Sequence, residues 1–356
     1  MERRKKHTNR IHMLLKGAVA CLIVVALTGC GEEKQKSNYE QGVESLEMQN
    51  YSAALNFFNA SIAQNKNMQL AYRGQGLSYL GLGQYSDAIN SFETALGESN
   101  GLLKKVDYDI NYYLAVAEYK SGNLEGALDI YNNIIALKQS SDAYYLKGKI
   151  TLEMGDYNGA TECFAKAIEM KKTDPDLYIN IYEDLSEKGY DLEAKSYIND
   201  AIRNVQKPST YQLGVFNYYL GDFTQARNYF EESTDTRKTA KGVIYLGKTY
   251  EALGDPGYAA TVYEDYVSKD KNAADIYNEL GLLKSAEKDY EGALAAFENG
   301  LAAENSSCRQ SLMYNQIITY EFLSDYAKAA ELMGVYLELY PGDETAVREN
   351  VFLSTR

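Results

Sequence analysis

The sequence predicts an all-α chain, an α-solenoid of about nine helix–turn–helix units with a C-terminal capping helix. Three observations carry this. The 356 residues hold only 4 prolines and no tryptophan but 33 tyrosines, so the chain is poor in helix breakers and rich in amphipathic aromatics. Apolar residues recur at helical rather than alternating spacing, as in YRGQGLSYLGLG from Tyr72. One pattern also returns along most of the chain at a nearly fixed interval. A hydrophobic content of 45% is enough to bury a core over this length.

From the N-terminus, MERRKKHTNR is basic, and GAVACLIVVAL, Gly17 to Leu27, is an apolar run half as long as the ~20 residues a membrane-spanning helix needs. Residues 1–29 read as an export signal. The apolar pair of a twin-arginine signal is missing after Arg3 and Arg4. The segment ends in Leu27-Thr28-Gly29-Cys30, which resembles the lipobox of bacterial lipoproteins. That resemblance implies that signal peptidase reads Leu27, Thr28 and Gly29, that the Cys30 thiol takes a diacylglycerol, and that cleavage leaves Cys30 as the new N-terminus. It implies a protein held on the extracytoplasmic face of a bacterial cell membrane by its lipid anchor alone. An ordinary cleaved signal with an unmodified cysteine is the alternative. Gly31 follows Cys30, so the aspartate that retains some lipoproteins in the inner membrane is missing, and the choice of membrane stays open.

Residues 30–36 read as a short linker. Residues 1–29 contain six of the 36 basic and one of the 50 acidic residues, which leaves 30 basic against 49 acidic side chains. Phosphate backbones and anionic head groups repel a body of that charge, which argues against nucleic-acid binding.

The repeat is clearest when aligned on the alanine of QYSDA. Ala54, Ala88, Ala127, Ala160, Ala194, Ala226, Ala259, Ala293 and Ala329 are separated by 34, 39, 33, 34, 32, 33, 34 and 36 residues. One helical turn after each stand Phe58, Phe92, Tyr131, Phe164, Ile198, Phe230, Tyr263, Phe297 and Met333. Twelve residues before each stand Gly42, Gly76, Ala115, Gly148, Tyr182, Gly214, Gly247, Gly281 and Ile317. On these residues the chain resembles the tetratricopeptide repeat (TPR) family over about residues 37–341. The resemblance implies two antiparallel helices per unit, A and B, stacked into a right-handed superhelix. The small residues mark where A and B approach, with the aromatic filling the wedge beside them. Gly81 and Gly83 then belong to a joint between helices, where a left-handed conformation costs glycine nothing. A phosphate loop would need a preceding strand and a third glycine in place of Ser86.

Three departures stand out. The unit around Tyr182, Asp191 and Ala194 lacks the glycine and the turn aromatic, lies between Pro175 and Pro208, and reads as a bend (degenerate repeat near 175–207). Five extra residues around Gly101 widen one loop. After Pro341, residues 342–356 contain ETAVRENVFL, a short amphipathic helix suited to cap the last unit.

Little in the chain suggests catalysis, and the reading is of a non-enzyme without cofactor or metal. Both histidines, His7 and His12, lie in the signal. No nucleophile–base pair stands in a motif. Cys163 and Cys308 share no metal spacing and read as small buried hydrophobes. Asp107, Asp109, Asn111 and Glu118 fall at calcium-loop positions, but Tyr112 replaces the required glycine and the stretch is needed as helix.

Function is therefore expected on the surface. Positions 18, 15, 11 and 8 before each anchor alanine form one stripe of helix A. The family resemblance implies that this stripe lines a concave, partner-binding groove. Its candidate residues are Tyr39, Arg73, Asp109, Tyr112, Tyr119, Asp142, Tyr145, Lys149, Tyr211, Tyr218 and Tyr314. Tyrosine offers a rigid apolar face with one hydrogen-bonding tip and is enriched at binding hot spots. Tyr144, with Gly148 and Thr151, is assigned to the core face, and its neighbour Tyr145 to the groove. Asp109 and Asp142 suggest a protein or peptide partner with basic segments. A glycan or peptidoglycan is the alternative ligand, since tyrosine faces also stack on sugars. Tyr39 and Val43 stand where a subset of the family carries the lysines and asparagines that grip chaperone tails, which argues against that role.

Overall fold

A computed structural model of the protein describes residues 36–99, 104–233, 235–303 and 308–356. The lipobox-like residues Leu27, Thr28, Gly29 and Cys30, and Gly101, lie outside them. Among the described residues the structure is all helical, with no strand.

Its helices are α1 (Asn38–Glu47), α2 (Tyr51–Ala63), α3 (Met68–Gly81), α4 (Tyr85–Gly97), α5 (Lys105–Ser121), α6 (Leu124–Leu137), α7 (Ser141–Glu153), α8 (Tyr157–Met170), α9 (Pro175–Glu187) and α10 (Asp191–Asn204). They continue with α11 (Thr210–Leu220), α12 (Phe223–Glu232), α13 (Ala240–Ala252), α14 (Pro256–Lys269), α15 (Ala274–Ala286), α16 (Tyr290–Ala302), α17 (Arg309–Phe322), α18 (Tyr326–Leu339) and α19 (Glu344–Leu353). Odd numbers up to α17 are the A helices and even numbers the B helices. They gather into two compact units. One holds α1–α5, the start of α17, α18 and α19; the other holds α6–α16 and the rest of α17.

The joint between A and B is one device used nine times. Five residues before every anchor alanine the backbone is left-handed: at Gly83, Gly122, Gly155, Gly189, Gly221 and Gly254, and also at Gln49, Lys288 and Ser324. At the end of α7 the Asp156 N–H donates to the Thr151 carbonyl (3.1 Å) and the Gly155 N–H to the Leu152 carbonyl (3.0 Å), which closes the helix as a Schellman turn. The next residue opens the following helix, because the Asp156 carboxylate accepts from the Gly159 N–H at 2.9 Å.

The wedge forms as the spacing predicts. All nine anchor alanines are fully buried, and each residue one turn later, from Phe58 to Met333, is at most 1% exposed. A Cβ placed on Gly42, Gly76, Gly148, Gly214, Gly247 or Gly281 would fall between 2.2 and 2.8 Å from the aromatic ring of its own repeat. These glycines exist because the ring occupies the space a side chain would need.

In the first unit, Tyr39 meets Phe58 edge-on at 5.9 Å, and Phe92 stacks on Tyr113 at 6.1 Å. Its last helix, α19, is capped by Asp343, whose carboxylate accepts from the Thr345 and Ala346 N–H groups. Ala346 and Leu353 are buried, while Val347, Val351 and Phe352 remain exposed.

In the second unit the core runs through the wedges of α8, α10, α12 and α14. The repeat made by α9 and α10 keeps the common joint. Pro175 is the first residue of α9, a position that has no helical N–H to lose, and Asp174 caps it. The turn aromatic is not lost but displaced by one position: Tyr190 packs on Tyr157 at 4.6 Å.

Candidate functional site

The stripe of the A helices is not bare surface, since much of it carries polar rungs from one A helix to the next. In the second unit, Asp184 of α9 accepts from the Lys149 ammonium of α7 at 2.6 Å and from the Tyr145 hydroxyl. The Asp184 side chain is 3% exposed and that of Lys149 16%. Lys188, just past α9, reaches back to Glu153. The Tyr219 hydroxyl of α11 meets Glu183 of α9 and lies 3.0 Å from the Tyr245 hydroxyl of α13. Lys248 of α13 pairs with Glu279 of α15 at 3.0 Å, and Asn315 of α17 donates to Asn278 of α15 at 2.9 Å.

In the first unit, the Arg73 guanidinium of α3 pairs with Asp109 of α5 and lies 5.4 Å over the Tyr113 ring. Burial pushes the Tyr113 hydroxyl up to about 12, with Asp109 raising and Arg73 lowering it. Gln69 donates to Asp107 at 2.7 Å. The calcium-like stretch is simply α5, with Asp107 committed to its N-terminus and to Gln69.

The candidate residues thus fall into different surroundings. Arg73 joins Asp109, and Tyr145 joins Lys149 through Asp184. Tyr211 and Tyr218 meet around Tyr245, at ring distances of 6.4 and 5.5 Å. Tyr39 is half-buried against Phe58. Asp142 is exposed and accepts from Lys171 at 2.8 Å. Tyr112, Tyr119 and Tyr314 are half-buried, with the Lys120 ammonium 5.9 Å from the Tyr119 ring.

Two expectations change. Tyr144 and Tyr145 do not divide between core and surface: both are half-buried, and the Tyr145 ring lies 6.1 Å from Phe164 of the wedge. Asp109 and Asp142 already hold Arg73 and Lys171, so neither is a vacant seat for a partner's cation. Sequence reasoning missed Asp184, Glu183, Tyr219, Tyr245, Glu279, Asn278 and Asn315. The available signal was complementary side chains about one repeat apart.

The richest aromatic surface is in the second unit. Tyr182 meets Tyr219 at 5.0 Å, Tyr218 meets Tyr219 at 5.4 Å and Phe223 at 5.7 Å, and Tyr211 meets Phe230 at 5.9 Å. Burial, with Asp176 adding, pushes the Tyr211 hydroxyl up to about 12. The Tyr211, Tyr218 and Tyr182 hydroxyls are all raised by burial and stay protonated at physiological pH, and their rings offer apolar faces.

Among the described residues no group of three or more histidine, cysteine or carboxylate side chains is placed to hold a metal ion. Cys308 is buried as expected, while Cys163 is only half-buried, its thiol pushed up chiefly by burial. No described helix is long and apolar enough to cross a membrane.

Residues 73–143 and 141–174 match two models of the family described as tetratricopeptide repeat. A TPR repeat-containing protein of Methanocaldococcus jannaschii is 25% identical over 271 residues, which cover 60% of this chain and 47% of that protein. Lipopolysaccharide assembly protein B of Escherichia coli is 31% identical over 126 residues, 34% of this chain and 32% of that protein. The chain spans less than half the length of these curated relatives. A crystal structure of a tetratricopeptide repeat protein from Parabacteroides merdae aligns with 71% of this chain and 98% of its own at 12% identity, with a TM-score of 0.44. The protein is of the all-α, TPR-like solenoid class. Tetratricopeptide repeats are recognised over residues 73–174.

Proposed function

We propose that this protein is a lipid-anchored extracytoplasmic scaffold that binds a protein segment on the A-helix face of its repeats, in the service of cell-envelope assembly. The observation that carries the binding surface is the pair Tyr211 and Tyr218. Their rings are fixed by Tyr245, Phe230 and Phe223, yet their hydroxyls make no hydrogen bond among the described residues. Rings held in place lose little freedom on binding, and a free hydroxyl can satisfy a partner's backbone. The anchor rests on Leu27-Thr28-Gly29-Cys30. The envelope role is supported by the name of the Escherichia coli relative.

The excess of 49 acidic over 30 basic residues beyond the signal favours a partner segment carrying lysine or arginine, attracted by the field of the whole body rather than by Asp109 or Asp142. The test is a photo-crosslinking residue at Tyr218 in intact cells, followed by affinity measurement on the captured protein with Tyr211→Phe and Tyr218→Phe. Capture of one protein, bound more weakly by the double variant at unchanged melting temperature and more weakly in salt, supports the reading. Adducts to wall glycan alone would favour the glycan ligand. Loss of fatty-acid labelling in Cys30→Ser tests the anchor separately.

A further inference from the structure

The first unit contains a contact that stacking of successive repeats does not require. Leu82, in the joint between α3 and α4, offers its carbonyl to the N–H of Gly342, 260 residues further along the chain, at 3.2 Å. The two backbones touch: a Cβ on Gly342 would lie 2.5 Å from the Gly83 carbonyl oxygen, and one on Gly83 would lie 3.2 Å from the Gly342 Cα. Gly83 has φ +71, so its own turn asks for glycine, whereas no left-handed φ makes that demand at Gly342. The missing side chain there is explained by the approach of the other turn.

Beside the glycines, Tyr51, Leu82 and Tyr340 are all at most 5% exposed. Burial pushes the Tyr51 hydroxyl up, and Tyr340 adds to it. Asp343 and Glu344 act on Tyr85, in the first turn of α4, where carboxylates also suit the positive end of the helix dipole. Each side is braced by its own segment. Tyr51 lies against Gly81, while the Tyr336 hydroxyl donates to Asp343 at 2.6 Å and Asp343 caps α19.

We propose that the turns at Leu82–Gly83 and Pro341–Gly342 form a latch, a releasable contact that holds the turn between α18 and α19 against the second repeat. Opening leaves both sides folded, uncovers the edge formed by Tyr51, Leu82 and Tyr340, and frees α18 and α19 to move. It is a local opening of the kind that precedes global unfolding.

The test is hydrogen exchange on the full chain. In the native protein the Gly342 amide should exchange at least ten-fold faster than those of Phe58 and Phe92. Gly342→Ala should speed exchange across residues 81–85 and 340–343 by a further ten-fold or more, leaving Phe58 and Phe92 unchanged. Gly334→Ala, at a helical site with nothing within 4 Å of the added carbon, should change neither. Spin labels at Gln64 and Glu338, with the other cysteines replaced by serine, should move apart in Gly342→Ala. Three results would each overturn the proposal: a Gly342 amide as slow as Phe58, a Gly342→Ala variant indistinguishable from the parent, or a variant that loses protection throughout α1–α4. The last would make the contact part of the fold and not a latch.

Discussion

The ring of Phe164 occupies the space where a side chain on Gly148 would begin, with a Cβ there only 2.7 Å from the ring. Glycine and aromatic come from the A and B helices of one repeat, so each fixes the identity of the other. Gly148→Leu should overfill the wedge and cost about 1–3 kcal/mol. Gly97→Ala, at a site with nothing within 4 Å, should be neutral or stabilise by up to ~1 kcal/mol. Tyr182→Leu should be milder, because that repeat's wedge is filled by Ile198 and not by an aromatic, and the half-buried Tyr182 ring packs on Tyr219. Urea melts of the three variants check this, and equal losses would mean the wedge is not the tight point.

The Lys149–Asp184 rung is buried on its acidic side. Asp184→Ala should cost about 3–5 kcal/mol, since it removes the carboxylate that the largely covered Lys149 ammonium pairs with. Lys149→Met with Asp184→Leu should recover most of that loss. Lys166–Glu169, exposed on both sides, should give below ~1 kcal/mol in the same double-mutant cycle.

Lys288 takes the left-handed joint position without being glycine, at φ +67, and is exposed. Lys288→Gly should stabilise by about 0.5–1 kcal/mol, because the conformation penalises a Cβ more than glycine's extra chain entropy does. A thermal melt that falls instead would show that the Lys288 side chain contributes something beyond its turn.

Alkaline pH should unfold the protein through its tyrosines. Burial raises both Tyr113 and Tyr340 to about 12, with Arg73 and Arg309 acting in the lowering direction. The unfolded chain ionises first, near 10, so stability is intact below that pH and falls as pH rises from 10 through 12. Each pKa unit is worth about 1.4 kcal/mol per residue. Tyrosinate absorbance followed beside circular dichroism should show these groups ionising only as the helices melt. Full tyrosinate absorbance in a folded chain at pH 11 would contradict the burial.

The periodic part of the fold is legible because it is local and repeated. Ala160, Phe164 and Gly148 sit at fixed offsets, and each alignment of nine copies averages out the variable residues. The rungs are not periodic: Arg73–Asp109, Lys149–Asp184 and Lys248–Glu279 use different offsets and different chemistry. A single stripe on helix A cannot distinguish a face open to a partner from one taken by the next repeat. Tyr145 satisfies the stripe pattern, yet its ring belongs to Phe164 and its hydroxyl to Asp184. Tyr190 was hidden by a shift of one residue, which fixed offsets cannot follow.

The changing chemistry of the rungs makes the repeats non-interchangeable, although their wedges are nearly identical. Excise one repeat, residues 175–207, and rejoin the chain: the spacing of alanines survives, and every wedge is still filled. Yet Lys149 would now look onto Phe216 in place of Asp184, and Glu153 onto Leu220 in place of Lys188. A largely covered ammonium facing a phenyl ring and a carboxylate facing leucine would mark that junction as foreign. The polar rungs act as addresses, so the order of the units is written into the array and cannot be shuffled without cost.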